Sequence, residues 1–334
     1  MSKLIFFGTP DFAVLCLAAA HEFARSHGHE LVGLVCQPDK PSNRGHKTHP
    51  PATKVKAEEL GLKVWQPERI KSDWIDCFAE QNIDLGIVVA YGKILPGRLL
   101  SSSRLGFVNV HASLLPRWRG AAPIQRAIEA GDAETGVSIM HLVPEMDAGD
   151  VYEIAKMPIG PDDTSGSLFE KLALLGAETL IKCLSEILDG SLKAAPQPQE
   201  GITFANKVQK EEAHINWNQS AEQIVNHVRA MQPWPGSYGV YGGKKLRLFG
   251  AQIVMPAKAG IQNRSPGELD PSLRWDDKYE SLQPGQIVGL GNKLIVQTRH
   301  GWVGFSEAQL EGKRKMPISS LLNGFEMKVG ETLC

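Results

Sequence analysis

At 334 residues the chain exceeds the length at which one hydrophobic core stops growing, so two domains are expected. Its 42% hydrophobic and 22% charged residues exclude collagenous and disordered classes, and a net charge of -1 argues against indiscriminate coating of nucleic acid. No apolar run approaches the roughly 20 residues of a bilayer span. The 5 cysteines are scattered, giving neither a disulfide framework nor a zinc site, so a cytoplasmic protein is expected, without membrane attachment.

Lys3 to Phe7 reads as a strand, too short in its apolar run for a signal peptide. Gly8-Thr9-Pro10-Asp11 then leads into a helix through Phe12, Leu15, Leu17 and Phe23, with Asp11 placed to cap it. The turn lacks the G-x-G-x-x-G spacing of a dinucleotide fingerprint. Further strands are expected at Leu31 to Cys36, Lys63 to Trp65, Asp84 to Ala90 and Phe107 to Val110, with helices between most of them. Continuously apolar strands alternating with helices predict a doubly wound, Rossmann-like parallel sheet covered on both faces.

A helix over Gly120 to Gly131 and strands at Gly136 to Val143 and Val151 to Ile159 follow. Thr164 opens a long helix whose Leu168, Leu172, Leu175, Leu180, Leu184 and Leu188 make one apolar face. Residues 1–189 are expected to form the catalytic domain. Residues 190–208, with the Pro-rich Ala194 to Gly201, read as a linker, and 209–334 as a second domain.

Within that second domain a single helix, Ala221 to Met231, precedes short strands at Ser237 to Tyr241, Lys245 to Val254, Gly285 to Leu290, Lys293 to Gln297 and Gly301 to Gln309. Short strands with turns and no intervening helices predict an OB-like β-barrel. The polar stretch 256–282 reads as a surface insertion. Charge is unequally shared: residues 1–189 hold 24 acidic against 19 basic side chains, whereas 190–334 hold 17 basic against 13 acidic.

Three residues form the candidate chemical centre. Asn109 and His111 lie two apart at the end of a strand, so both side chains point to one face, at the sheet edge where open α/β folds bind ligands. Asp147 follows the next strand in a turn-rich segment. A carboxamide can stabilise an oxyanion, an imidazole can move a proton, and a carboxylate can fix the imidazole's tautomer. Such a set suits acyl transfer between nitrogens without a covalent nucleophile. Taken singly, Asn109 also fits a turn cap, His111 a hydrogen-bonded strand-end histidine and Asp147 a helix cap.

The run Asn109-Val110-His111-Ala112-Ser113-Leu114-Leu115-Pro116, followed by Arg117 to Gln125, resembles the signature of the folate-dependent formyltransferases. Phe7-Gly8-Thr9-Pro10-Asp11-Phe12-Ala13 and Met146-Asp147-Ala148-Gly149-Asp150 extend the resemblance over nearly the whole chain. The resemblance implies that Asn109, His111 and Asp147 are catalytic, with 10-formyltetrahydrofolate as co-substrate and no metal. It places Tyr91, Gly92, Ile94 and Leu95 along the pterin, and Ser113, Leu114, Leu115 and Pro116 beside the cofactor.

It further implies a monomer acting on the amino group of initiator methionyl-tRNA. Arg44 and Lys47, in a loop matching the family's insertion loop, would touch the acceptor arm. Lys244, Lys245 and Arg247, on one strand of the basic second domain, would face tRNA phosphates. Three rivals stay open at this point: a formyltransferase for a small amine, a hydrolase releasing formate, and a catalytically dead RNA-binding module.

Overall fold

The apolar runs of the first 160 residues form the sheet they predict. The computed structural model describes residues 1–41, 48–254 and 282–334. Arg44, Lys47 and all but the last residue of the insertion 256–282 lie outside the described residues. The chain separates into two compact units: Met1–Ile124, Ala133–Gly160 and Ser167–Lys207 in the first, Gln125–Asp132, Pro161–Gly166 and Val208–Cys334 in the second.

In the first unit β1 (Lys3–Gly8) is followed by α1 (Phe12–Ser26), β2 (Glu30–Val35), and the short β3 (Lys40–Pro41) and β4 (Thr48–His49). Then come α2 (Ala52–Glu59), β5 (Lys63–Trp65), α3 (Ser72–Ala79), β6 (Leu85–Val89), α4 (Gly97–Leu100) and β7 (Phe107–His111). The strands β5, β2, β1, β6 and β7 run parallel, in that order across the sheet. All five residues of β6 are buried, as a strand covered on both faces requires. Gly86 has no alternative there, because a Cβ would stand 2.1 Å from the Phe107 ring.

The remaining strands, to which the sequence assigns no direction, make the sheet mixed. β8 (Arg119–Gly120) lies outside it, α5 (Pro123–Ala130) follows, and β9 (Glu134–His141) and β10 (Val151–Pro158) join beyond β7, β9 antiparallel to β7 and β10 antiparallel to β9. Apolar content marks a strand as buried but carries no direction. Asp11 does not cap α1: it already has helical dihedrals, with φ -51° and ψ -33°, and its side chain makes no cap bond. The first turn is closed by backbone instead, with the Ala13 amide donating to the Pro10 carbonyl at 2.9 Å.

The long helix α6 (Ser165–Asp189) buries Leu168, Leu172, Leu180 and Leu184 completely. Beyond it the Pro-rich segment stays mostly irregular yet is tied to the first unit. Ala195 bridges Val151, and β11 (Phe204–Ala205) pairs in parallel with β8.

The second unit contains α7 (Ala221–Ala230), opened by a reciprocal capping box between Ser220 and Gln223. An antiparallel sheet follows: β12 (Tyr238–Tyr241), β13 (Lys244–Val254), β14 (Ile287–Leu290), β15 (Leu294–Gln297), β16 (Trp302–Leu310) and β17 (Met316–Pro317). Its order, β12-β13-β16-β15-β14, is a curled half-barrel, with no ladder between β12 and β14 among the described residues. Residues 331–334 span that opening. Val240 and Cys334 exchange backbone hydrogen bonds on one side, and the Ile287 amide donates to the Glu331 carbonyl on the other. The core joins Ile224 and Val228 of α7 to Leu246, Leu248, Val296 and Phe305 of the sheet.

Candidate active site

Strand alternation puts Asn109 and His111 on one face of β7. His111 is 5% exposed, and its Nε2 lies 2.9 Å from the Trp118 carbonyl oxygen. A carbonyl only accepts, so the bonded Nε2 carries a proton, and in the neutral form of the ring the lone pair then lies on Nδ1. That nitrogen faces Asp147 Oδ2 at 3.7 Å, an ion-pair separation rather than a hydrogen bond. The tautomer is therefore set by a backbone carbonyl, where the sequence pointed to the carboxylate.

Asp147 is oriented independently of His111, since its Oδ2 accepts the Gly120 amide at 2.8 Å. Trp118 and Asp147, which face the two ring nitrogens, both have left-handed backbones, with φ of 64° and 47°. Non-glycine residues hold that conformation only where surrounding structure enforces it, and such positions concentrate at functional sites. The Asn109 carboxamide makes no hydrogen bond among the described residues, so its donors are free for a ligand.

The turn after β7 is pinned from beneath by Ser138. Its fully buried hydroxyl donates to the Ser113 carbonyl and accepts the Leu115 amide, at 2.8 and 3.1 Å. Ser113 is itself buried and donates to the Arg117 carbonyl at 2.7 Å. Leu114 and Pro116 are half-buried, Leu115 is buried, and all four residues expected beside the donor lie on this one turn.

The segment after β6 is divided. Gly92 takes φ 79° and Ile94 is 90% exposed, whereas Leu95 packs in the core. Tyr91 is 2% exposed, its ring edge-on to Phe7, and burial pushes its hydroxyl up to about 12. Its carbonyl already accepts from Thr9 Oγ1 and Gln37 Nε2. The Tyr91 side chain is thus a core group.

On β13 of the second unit, Lys245 and Arg247 share the solvent face, while Lys244 falls on the face that carries buried Leu246 and Leu248. The three do not form one row. The Lys245 ammonium stands 3.5 Å from the centre of the Tyr238 ring. Among the described residues no group of three His, Cys, Asp or Glu side chains could hold a metal, and no helix is long and apolar enough to cross a membrane.

Sequence reasoning missed the groups that hold the site. They are the Trp118 carbonyl, the Gly120 amide, Ser138, Thr203, whose Oγ1 accepts the Trp118 amide at 2.9 Å, and buried Gln197. Backbone atoms leave no trace in residue identity. Gln197 did leave one, as a polar residue locked between Pro196 and Pro198.

Fold and site define an α/β protein whose polar groups gather beyond the carboxyl ends of its strands, the position of ligand sites in such sheets. The formyl transferase profile matches residues 2–184, and the profile of the formyl transferase C-terminal domain matches residues 207–326. The chain belongs to the formyl transferase family. It is 41% identical to the methionyl-tRNA formyltransferase of Symbiobacterium thermophilum, over 99% of this chain and 94% of that one. It is 38% identical to that of Parvibaculum lavamentivorans, over 99% of both. Among solved structures, the sugar 3N-formyl transferase WlaRD, obtained with dTDP and 5-N-formyl-THF, is similar at TM-score 0.62 and 17% identity, covering 94% of this chain and 99% of that one. HypX from Aquifex aeolicus in complex with tetrahydrofolic acid is similar at TM-score 0.58 and 19% identity, over 98% of this chain and 48% of that one.

Proposed function

We propose that this chain transfers the formyl group of 10-formyltetrahydrofolate to the amino group of initiator methionyl-tRNA, giving N-formylmethionyl-tRNA for translation initiation. The observation that carries this reading is the identity of 38 and 41% to two methionyl-tRNA formyltransferases along essentially the whole chain, second domain included.

The donor supplies the formyl carbon and, in N10, the nitrogen that leaves. The unpartnered Asn109 carboxamide donates to the formyl oxygen as negative charge develops there. His111, unprotonated at Nδ1, takes a proton from the attacking amine while the new N–C bond forms. Asp147, 3.7 Å away, stabilises the resulting imidazolium. As the bond from N10 to carbon breaks, that proton is delivered to N10, so one amine proton is exchanged for one formyl group.

Ser113, Leu114, Leu115 and Pro116, with Gly92, Ile94, Leu95 and the Tyr91 backbone, line the donor site. Residues 1–189 are the catalytic domain, 190–208 the linker and 209–334 the tRNA-binding domain. Arg44, Lys47, Lys244, Lys245 and Arg247 contact tRNA, and the protein works as a cytoplasmic monomer. Purified protein with labelled donor is expected to formylate charged initiator tRNA and leave small amines untouched; formate release without an acceptor would contradict the reading.

A further inference from the structure

Residues 185–206 fall between the two family profiles. Within 191–200, where the prolines and most other side chains face solvent, Gln197 alone is buried, at 7% exposure. Its carboxamide has two N–H donors and an oxygen with two lone pairs, and all four are used. Nε2 donates to the carbonyls of Asp147 and Gly149, at 2.8 and 2.7 Å. Oε1 accepts from Nε and Nη2 of Arg119, at 3.1 and 2.8 Å, and Arg119 is itself buried.

These partners belong to two loops that share nothing in sequence. One carries Asp147; the other carries Trp118 and Gly120, whose carbonyl and amide hold His111 and Asp147. Pro198 disfavours helical dihedrals at Gln197, and Pro196 does the same at Ala195. The strap engages the second loop again a few residues later: the Thr203 carbonyl accepts the Arg119 amide at 2.9 Å, and β11 pairs with β8.

We propose that Gln197 is a positioning residue for formyl transfer: by tying the 147–149 turn to the Arg119 loop, it fixes Asp147 against His111. The inference rests on the catalytic reading of Asp147 and His111 above. Gln197 acts through Asp147 and touches no reacting atom, so it should govern turnover and leave substrate binding intact.

The test is steady-state kinetics, with both substrates varied, on wild type, Gln197→Met, Gln197→Glu, Asp147→Asn and the Asp147→Asn/Gln197→Met double variant. Gln197→Met is expected to lower kcat about 10- to 100-fold, the scale of an ångström-sized misplacement. Both KM values should stay within about twofold, and the double variant should turn over no more slowly than Asp147→Asn alone. A wild-type kcat in Gln197→Met, or the same fold loss repeated in the Asp147→Asn background, overturns the proposal.

Should Gln197→Met not fold, Gln197→Glu decides. Its carboxylate keeps Arg119 as a partner but cannot donate to the Asp147 and Gly149 carbonyls, so kcat should again fall with KM held, and a wild-type kcat refutes the role. Failure of the functional reading looks different: wild type itself then makes no formylmethionyl-tRNA. Product from wild type with undiminished Gln197 variants sinks the strap alone.

Discussion

His111 has two ring nitrogens in unlike surroundings, and that difference decides its chemistry. Nε2 is committed to a carbonyl, which leaves Nδ1 as the nitrogen for the proposed proton exchange. Asn109→Ala, His111→Ala and Asp147→Asn should each lower kcat by about 100-fold or more, with tRNA affinity kept, because each removes an interaction made chiefly in the transition state. Parallel kcat and tRNA-binding measurements check this, and equal loss of both would refute the roles. The Asn109 and His111 pairing is legible in the sequence because alternation along a strand is rigid geometry. The anchors of Asp147 are not, since one is the Gly120 backbone amide and another comes from Gln197, 50 residues further on.

At the scale of elements, β8 and β11 show what pattern alone cannot reach. Two-residue strands have no periodicity, and the sequence pattern instead puts Gly120 at the start of a helix. Gly120 takes φ 124°, and a Cβ there would stand 2.7 Å from the Ala205 carbonyl oxygen. Gly120→Ala is therefore expected to cost about 1–3 kcal/mol of stability from backbone strain, seen as a lower Tm. It should also impair turnover, because the same amide holds Asp147. The longer elements are legible wherever burial imposes a period, as in β6 and in the leucine face of α6.

Residues 125–132 supply the second unit with an ion network. Glu129 Oε1 lies 3.2 Å from His227 Nδ1, and Arg126 bridges Glu129 and Glu212, each at 2.7 Å. The hydrogen bond from His227, and then that from Arg126, hold the Glu129 carboxyl below its ordinary 4.5 despite its burial. A carboxyl depressed in the folded state stabilises above its unfolded value, and that contribution fades as pH falls through the folded one. The Tm gap between wild type and Glu129→Gln should be full near neutrality and shrink below about pH 4.5.

For the whole molecule, the uneven charge is the most informative feature of composition. The excess of basic side chains in residues 190–334 gives phosphate contacts a place in a chain that is nearly neutral. Lys245→Ala and Arg247→Ala should each reduce the slope of log affinity against log salt for tRNA by about 0.7–0.9. A filter-binding salt titration reads this directly, with kcat at saturating tRNA unchanged. The Pro-rich segment, a linker by composition, also carries Gln197 into the site, because a few prolines mark where regular structure stops but not what the side chains between them touch.

The most direct test is a formyl-transfer assay with 10-formyltetrahydrofolate and initiator tRNA charged with methionine, run on wild type and on His111→Ala. Wild type is expected to give formylmethionyl-tRNA and the variant little, with tRNA binding unchanged in both. Transfer by His111→Ala at the wild-type rate would contradict this expectation.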